Sequence, residues 1–227
     1  MLDNLIEEFR DKIDVKDFFS YLSFEIAKEE ILSSKSNIIF LLGKPGSGKS
    51  FMLTFLKHNY PQNYILIKDP FVTKEEFFAS FPDIDKKTIL VDEAQLLNLK
   101  MVEFLRVLSD KGNRVIFSMH KGDGQKIASL PQFNSRYIQT ITLKPLTFEE
   151  FERYTTSKFI KNNKYDIITK KNLKKIYSYT KGNFRLSKRF IFTALNLLDY
   201  SLRNSLKYKK IDLCIIEMTA IELGLIR

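Results

Sequence analysis

Asn37-Ile38-Ile39-Phe40-Leu41-Leu42-Gly43-Lys44-Pro45-Gly46-Ser47-Gly48-Lys49-Ser50 reads as a buried strand that runs straight into the pattern G-x-x-x-x-G-K-[ST]. The pattern has a mechanical basis. Glycines let consecutive backbone N–H groups converge on the α- and β-phosphates of a nucleotide, where side chains would block the approach. Lys49 adds a mobile point charge for the β- and γ-phosphates, and the Ser50 hydroxyl is a ligand type for Mg²⁺. The apolar spacing of Phe51, Met52, Leu53, Phe55 and Leu56 predicts a helix over Ser50–His58, whose N-terminal dipole faces the same phosphates. Gly43, Lys44, Pro45, Gly46, Ser47, Gly48, Lys49, Ser50 and Phe51 are therefore the expected nucleotide contacts. A chance Gly-rich turn is the bland alternative, and the position between a strand and an amphipathic helix argues against it.

A chain of 227 residues can bury one substantial core, or one core and a small satellite. Hydrophobic content of 44% and charged content of 28% place it among ordinary globular proteins. No apolar run is long enough to span a bilayer, and the start Met1-Leu2-Asp3-Asn4 lacks the character of a signal peptide. Cys214 is the single cysteine, which excludes an internal disulfide and makes a reducing cytoplasm the expected compartment. Its apolar helical surroundings predict a buried structural thiol. The net charge of +10 is concentrated: residues 157–190 hold eleven bases (Lys158, Lys161, Lys164, Lys170, Lys171, Lys174, Lys175, Lys181, Arg185, Lys188, Arg189) against one acid, Asp166. A localised basic surface suits an acidic partner, whether nucleic acid, anionic lipid or an acidic protein face.

Period-3.6 patterning predicts two opening helices, the first carrying Leu2, Leu5, Ile6, Phe9 and Ile13, the second running over 16–33. Strand-like runs then alternate with helical ones: Ile38–Leu42, Tyr64–Lys68, Thr88–Asp92, Arg114–Met119 and Tyr137–Leu143, with helices over 50–58, 74–81, 100–111 and 125–130. Near-continuous apolar strands separated by helices mean a parallel sheet covered on both faces. After Lys144-Pro145 only helical periodicity remains, opened by Thr147 as N-cap with Glu150 completing a capping box. The expected organisation is N-terminal helices packing on the core over 1–35, an α/β nucleotide-binding core over 36–144 and a helical lid over 145–227.

Thr88-Ile89-Leu90-Val91-Asp92-Glu93-Ala94-Gln95 is an apolar strand ending in two acids. At the carboxyl edge of a parallel sheet such acids lie beside bound phosphates. Asp92 is suited to hold Mg²⁺ and Glu93 to polarise an attacking water; a polar strand terminus is the plain alternative. Arg136, just before the last strand, is either a structural ion-pair partner or an arginine that reaches the γ-phosphate of a neighbouring subunit. Gly182-Asn183-Phe184-Arg185 opens a helix, and a cation in a first turn is unfavourable unless it faces an anion such as a phosphate. His120 closes the fourth strand, where an imidazole can sense the γ-phosphate or the attacking water. Asn163-Lys164-Tyr165-Asp166 mimics the guanine-reading N-K-x-D motif. That motif must follow a buried strand and needs a partner D-x-x-G, whereas here it follows a helical stretch and Gln95 stands at the fourth position.

A phosphate loop, a D-E strand, an arginine before the fifth strand and a G-x-x-R helix start, in that order, resemble the AAA+ ATPases. The finer resemblance is to the ExeA type (general secretion pathway protein A), with related small bacterial ATPases of pilus, secretion, DNA-uptake and transposition systems. It is carried by Ile65-Leu66-Ile67-Lys68-Asp69-Pro70, by Asp92-Glu93-Ala94-Gln95-Leu96-Leu97, by Ser135-Arg136-Tyr137, by Leu143-Lys144-Pro145-Leu146-Thr147 and by Lys181-Gly182-Asn183-Phe184-Arg185-Leu186. The resemblance implies a P-loop AAA+ fold with a five-stranded parallel sheet and a helical lid. It also implies ATP and Mg²⁺ as ligands, ATP hydrolysis at low basal rate, and a homo-oligomer. Lys49 and Glu93 take catalytic roles, Ser50 and Asp92 hold the metal, Arg136 is the finger acting in trans, Arg185 the second sensor and His120 the first. The implied setting is the cytoplasm, or the inner membrane through a membrane-associated assembly partner, with nucleic acid as an alternative partner for the basic lid. A DNA-binding factor for transposition or replication, or a nucleotide-gated scaffold with little turnover, are the alternative functions.

Overall fold

The computed structural model describes residues 2–15, 18–68, 73–134 and 137–226. These divide into two compact units, one formed by 13–144 and the other by 1–12 together with 145–227.

The first unit is built on five parallel strands: β1 (Ile38–Gly43), β2 (Tyr64–Ile67), β3 (Thr88–Val91), β4 (Arg114–Met119) and β5 (Ile138–Leu143). Their spatial order is β2-β3-β4-β1-β5, with every neighbouring pair parallel. Every residue of β1 is buried, because β4 and β5 pair with its two edges and helices cover its faces. β5 is an edge strand and alternates in burial, as a strand covered on one face must. The helices of this unit are α2 (Leu22–Ser33), α3 (Lys49–Asn59), α4 (Lys74–Ser80), α5 (Leu99–Asp110), α6 (Lys121–Ala128) and α7 (Pro131–Asn134); α1 (Asp3–Glu8) belongs to the other unit. Rings fill the space between sheet and helices: Phe40 lies 5.7 Å from both Phe117 and Phe133, and Phe77 packs edge-on against Phe104 at 5.4 Å. The second predicted helix begins at Leu22; its expected start at Lys16 lies outside the described residues.

The second unit is helical: α8 (Phe148–Lys161), α9 (Lys170–Thr180), α10 (Phe184–Arg203) and α11 (Leu213–Glu222), joined by α1. The capping box is formed at α8, where Thr147 Oγ1 accepts from the Glu150 amide at 3.2 Å and Glu150 Oε2 from the Thr147 amide at 2.8 Å. Gly182 has φ +72°, and a Cβ there would lie 2.0 Å from the Leu146 carbonyl oxygen. The glycine is thus needed for a close backbone approach, sealed by the Leu146 amide donating to Gly182 O at 2.9 Å. The segment Asn163–Asp166 follows α8 and leads into a short 3-10 turn at Tyr165–Ile167, so it has no strand in front of it.

The N-terminal region does not act as one body on the α/β core. Residues 1–12 belong to the helical unit, whereas α2 packs on β5. Phe9 is fully buried against Tyr154 and Phe159, and the Leu2 amide donates to Asp199 Oδ1 at 3.2 Å. Side-chain periodicity says that a helix is amphipathic but not which apolar surface receives it. Cys214 is half-buried rather than buried, and its Sγ lies 3.1 Å from the Tyr208 hydroxyl.

Among the described residues, no helix is long and apolar enough to cross a membrane.

Candidate functional site

The loop after β1 is held in a tight, inward-facing form. Gly48 has φ +94°, a left-handed conformation that only glycine adopts without strain, and it serves as the N-cap of α3. Lys49 is buried, and its Nζ donates to the carbonyl oxygens of Gly43 at 3.1 Å and Lys44 at 3.4 Å. The ammonium group therefore sits over the loop mouth, not in solvent. Ser47 Oγ is buried with no hydrogen-bond partner among the described residues. A glycine-turned loop with a buried cation and an unpaired hydroxyl fits a polyphosphate. Ser50 lies half-buried in the first turn of α3, so the hydroxyl expected to hold Mg²⁺ sits at the same helix start. Phe51 follows the loop; its ring stacks on Phe18 at 5.9 Å and leans on Phe24 at 5.7 Å.

Tyr21, at the N-cap of α2, braces the loop from behind. Its hydroxyl donates to the Ser47 carbonyl at 2.9 Å, and a Cβ on Gly48 would lie 2.8 Å from the same hydroxyl. In a trans peptide the carbonyl and the following N–H point in opposite directions, so fixing Ser47 O turns the Gly48 N–H away from Tyr21. Sequence reasoning missed Tyr21. Twenty-six positions separate it from Ser47, and no local pattern links the two.

The acid pair lies beyond β4. In register, Ser118 of β4 is paired with Leu41 of β1, one strand from the phosphate loop. Ser118 is fully buried, and its Oγ donates to Asp92 Oδ1 at 3.0 Å. The Glu93 amide donates to the same oxygen at 3.1 Å. Two donors on one oxygen leave the other lone pairs of Asp92 open for a cation's shell. Ser118 is a lone hydroxyl in the apolar run Val115-Ile116-Phe117-Ser118-Met119, a signal the sequence did carry. Glu93 has φ +46° and ψ +45°, costly for a residue with a side chain, and such strain gathers at functional positions. Glu93 Oε2 accepts from Gln95 Nε2 and lies 3.8 Å from His120 Nε2. His120 Nδ1 and Gln95 Oε1 are buried without partners among the described residues. The structure thus brings Asp92, Glu93 and His120 together with Ser118 and Gln95 at the carboxyl edge of the sheet, the edge from which the phosphate loop also springs.

Arg136 lies outside the described residues. Arg185 sits in the first turn of α10 in the helical unit, and its Nε is 3.6 Å from Asp11 Oδ2. The anion facing this first-turn cation in the structure is therefore a carboxylate of its own unit.

No protein-family profile matches the chain, and no curated protein sequence matches it. Solved structures do. A Walker-type ATPase of Pyrococcus abyssi superposes with a TM-score of 0.66 at 14% identity, covering 96% of this chain and 77% of that one. The Thermotoga maritima RuvB Holliday junction branch migration motor gives 0.61 at 18% identity over 95% and 73%. Cdc6p of Pyrobaculum aerophilum gives 0.63 at 14% identity over 95% and 70%. The chain has the fold of the P-loop AAA+ ATPases, as its motif order implied.

Proposed function

We propose that this protein binds ATP with Mg²⁺ and hydrolyses it as an AAA+ ATPase. The observation that carries the reading is the buried Lys49 ammonium held inside a glycine-turned loop, two strands from the Asp92–Glu93 pair. In this reading the loop amides and Lys49 hold the β- and γ-phosphates. Ser50 and Asp92 would hold Mg²⁺, which neutralises charge on the phosphate oxygens. Glu93 takes a proton from water as it attacks, once its carboxylate is released from Gln95. His120 senses the γ-phosphate, Arg185 acts as the second sensor and Arg136 as the finger supplied to the neighbouring copy in a ring or filament. These last assignments rest on the ExeA-type resemblance.

The same resemblance supports a role in assembling or remodelling a secretion, type IV pilus or DNA-uptake apparatus. Low basal turnover and recruitment to the inner membrane by an assembly partner belong to that reading. The test is Mg²⁺-dependent ATP turnover and nucleotide binding by the purified full chain. Lys49→Ala should abolish binding, and Glu93→Gln should retain ATP without releasing phosphate. Rapid hydrolysis by Glu93→Gln would remove the general base, and failure of the unaltered chain to bind ATP would remove the whole reading.

A further inference from the structure

The helical unit carries two kinds of basic residue. One set is neutralised: Glu8 takes Lys158 at 2.8 Å and Lys161 at 2.5 Å, Glu152 takes Lys170 at 2.8 Å, Asp3 takes Arg203 at 2.7 Å, and Asp11 faces Arg185. The basic surface read from residues 157–190 is therefore smaller than its sequence count. A different set remains, and tertiary structure assembles it. The Ile211 amide donates to Ile167 O at 2.8 Å, and Asn172 Nδ2 donates to Ile211 O at 2.7 Å. These two bonds bring the segment Lys207-Tyr208-Lys209-Lys210 against the 165–167 turn and the first turn of α9. Lys164, Lys171, Lys175, Lys207, Lys209 and Lys210 lie on these three joined segments, Lys164 half-buried and the others exposed. None of the six has a carboxylate partner among the described residues. The nearby acids are Asp166, which is exposed, and Asp212, whose Oδ1 is occupied as N-cap of α11 by the Ile215 amide at 3.0 Å.

We propose that this surface binds a nucleic-acid strand, with the lysines on its phosphates and Tyr165 against an unpaired base. Lysine is a point charge suited to phosphate oxygens and indifferent to sequence. Tyr165 lies among these lysines with 70% of its surface exposed. Aromatic faces beside a basic track are how single strands are held without sequence reading. A lipid surface fits less well. A helix that lies on a membrane buries its apolar face in lipid, but α9 has Leu173 and Ile176 buried within the unit and turns lysines and Ser178 outward. The inference is independent of the ATPase reading, because it uses no residue of the phosphate loop or acid pair.

The experiment is binding of the full chain to a fluorescent single-stranded oligonucleotide and to a duplex of the same length, across a salt series. The unaltered protein should bind with an affinity that falls steeply as salt rises, and prefer the single strand. Reversing two charges, Lys171→Glu with Lys210→Glu, should weaken binding at least about tenfold and lower the salt slope by about 1.4. Tyr165→Ala should remove the preference for the single strand. Lys35→Glu, an exposed lysine of the other unit, should change neither. Circular dichroism establishes that the variants remain folded, and Lys171→Gln with Lys210→Gln repeats the test with smaller perturbation. Absence of binding at low salt, or unchanged affinity in both double variants, would overturn the proposal. So would retention on vesicles containing phosphatidylserine that depends on these lysines while the oligonucleotide is ignored.

Discussion

The hydroxyl of Tyr21 holds the carbonyl of Ser47 at 2.9 Å, so the phosphate loop is braced by the N-cap residue of a helix that precedes its own strand. Removing that hydroxyl while keeping the ring isolates the brace. Tyr21→Phe gives up a hydrogen bond worth about 1 kcal/mol, and the loop should sample other orientations of the Ser47–Gly48 peptide. ATP affinity should fall about fivefold, with kcat at saturating ATP little changed. Isothermal titration and a separate measurement of KM and kcat check both parts.

Ser118 donates to Asp92, the carboxylate that the proposed function assigns to Mg²⁺. Ser118→Ala leaves Asp92 Oδ1 with the Glu93 amide as its remaining donor among the hydrogen bonds described above. Outer partners of metal ligands set affinity through orientation, so half-saturation by Mg²⁺ should rise about tenfold. Nucleotide binding measured without Mg²⁺ should not move, which separates this effect from a general loss of the site.

Gly182 and Gly112 share positive φ, at +72° and +96°, but differ in surroundings. A Cβ at Gly112 meets nothing within 4 Å, whereas at Gly182 it meets the Leu146 carbonyl at 2.0 Å. Gly112→Ala should cost about 1 kcal/mol from backbone strain alone, and Gly182→Ala clearly more. Urea unfolding of the two variants side by side measures the difference.

Burial disfavours the Glu8 carboxylate and is the largest single influence on it, but hydrogen bonds and charge from Lys158 and Lys161 together outweigh burial. Its folded pKa therefore lies below the ordinary glutamate value. A depressed folded pKa means stability that is full above the unfolded pKa and is lost as pH falls through the folded one. Glu8→Gln should lower stability at neutral pH and flatten the loss of stability below about pH 4.3, the ordinary glutamate value. Acid titration followed by far-ultraviolet circular dichroism reports both.

What was legible in the sequence was whatever short-range patterns encode. The β1 run, the glycine spacing of 43–50 and the apolar strand ending at Asp92 each lie within a few residues, so strand, loop and acid pair could be read directly. The Thr147–Glu150 capping box is equally local, spanning one turn of helix. The change to helical periodicity after Pro145 marked where the parallel sheet ends. Other features depend on residues far apart in the chain, and periodicity is blind to the identity of a packing partner. Helix α1 shows its apolar face in Leu2, Leu5, Ile6 and Phe9, yet only burial against Tyr154 and Phe159 assigns it to the helical unit. Eleven bases in one stretch suggested one basic surface. Glu8, Asp11 and Glu152 neutralise part of it, and the bonds of Ile211 join three segments that carry another part. The sequence alone determined that a phosphate loop and an acid pair stand on a parallel sheet, because backbone geometry demands those residue types at those spacings. Tertiary structure decided what braces the loop, what orients Asp92 and where charge stays unpaired, because each depends on which distant side chains meet in space.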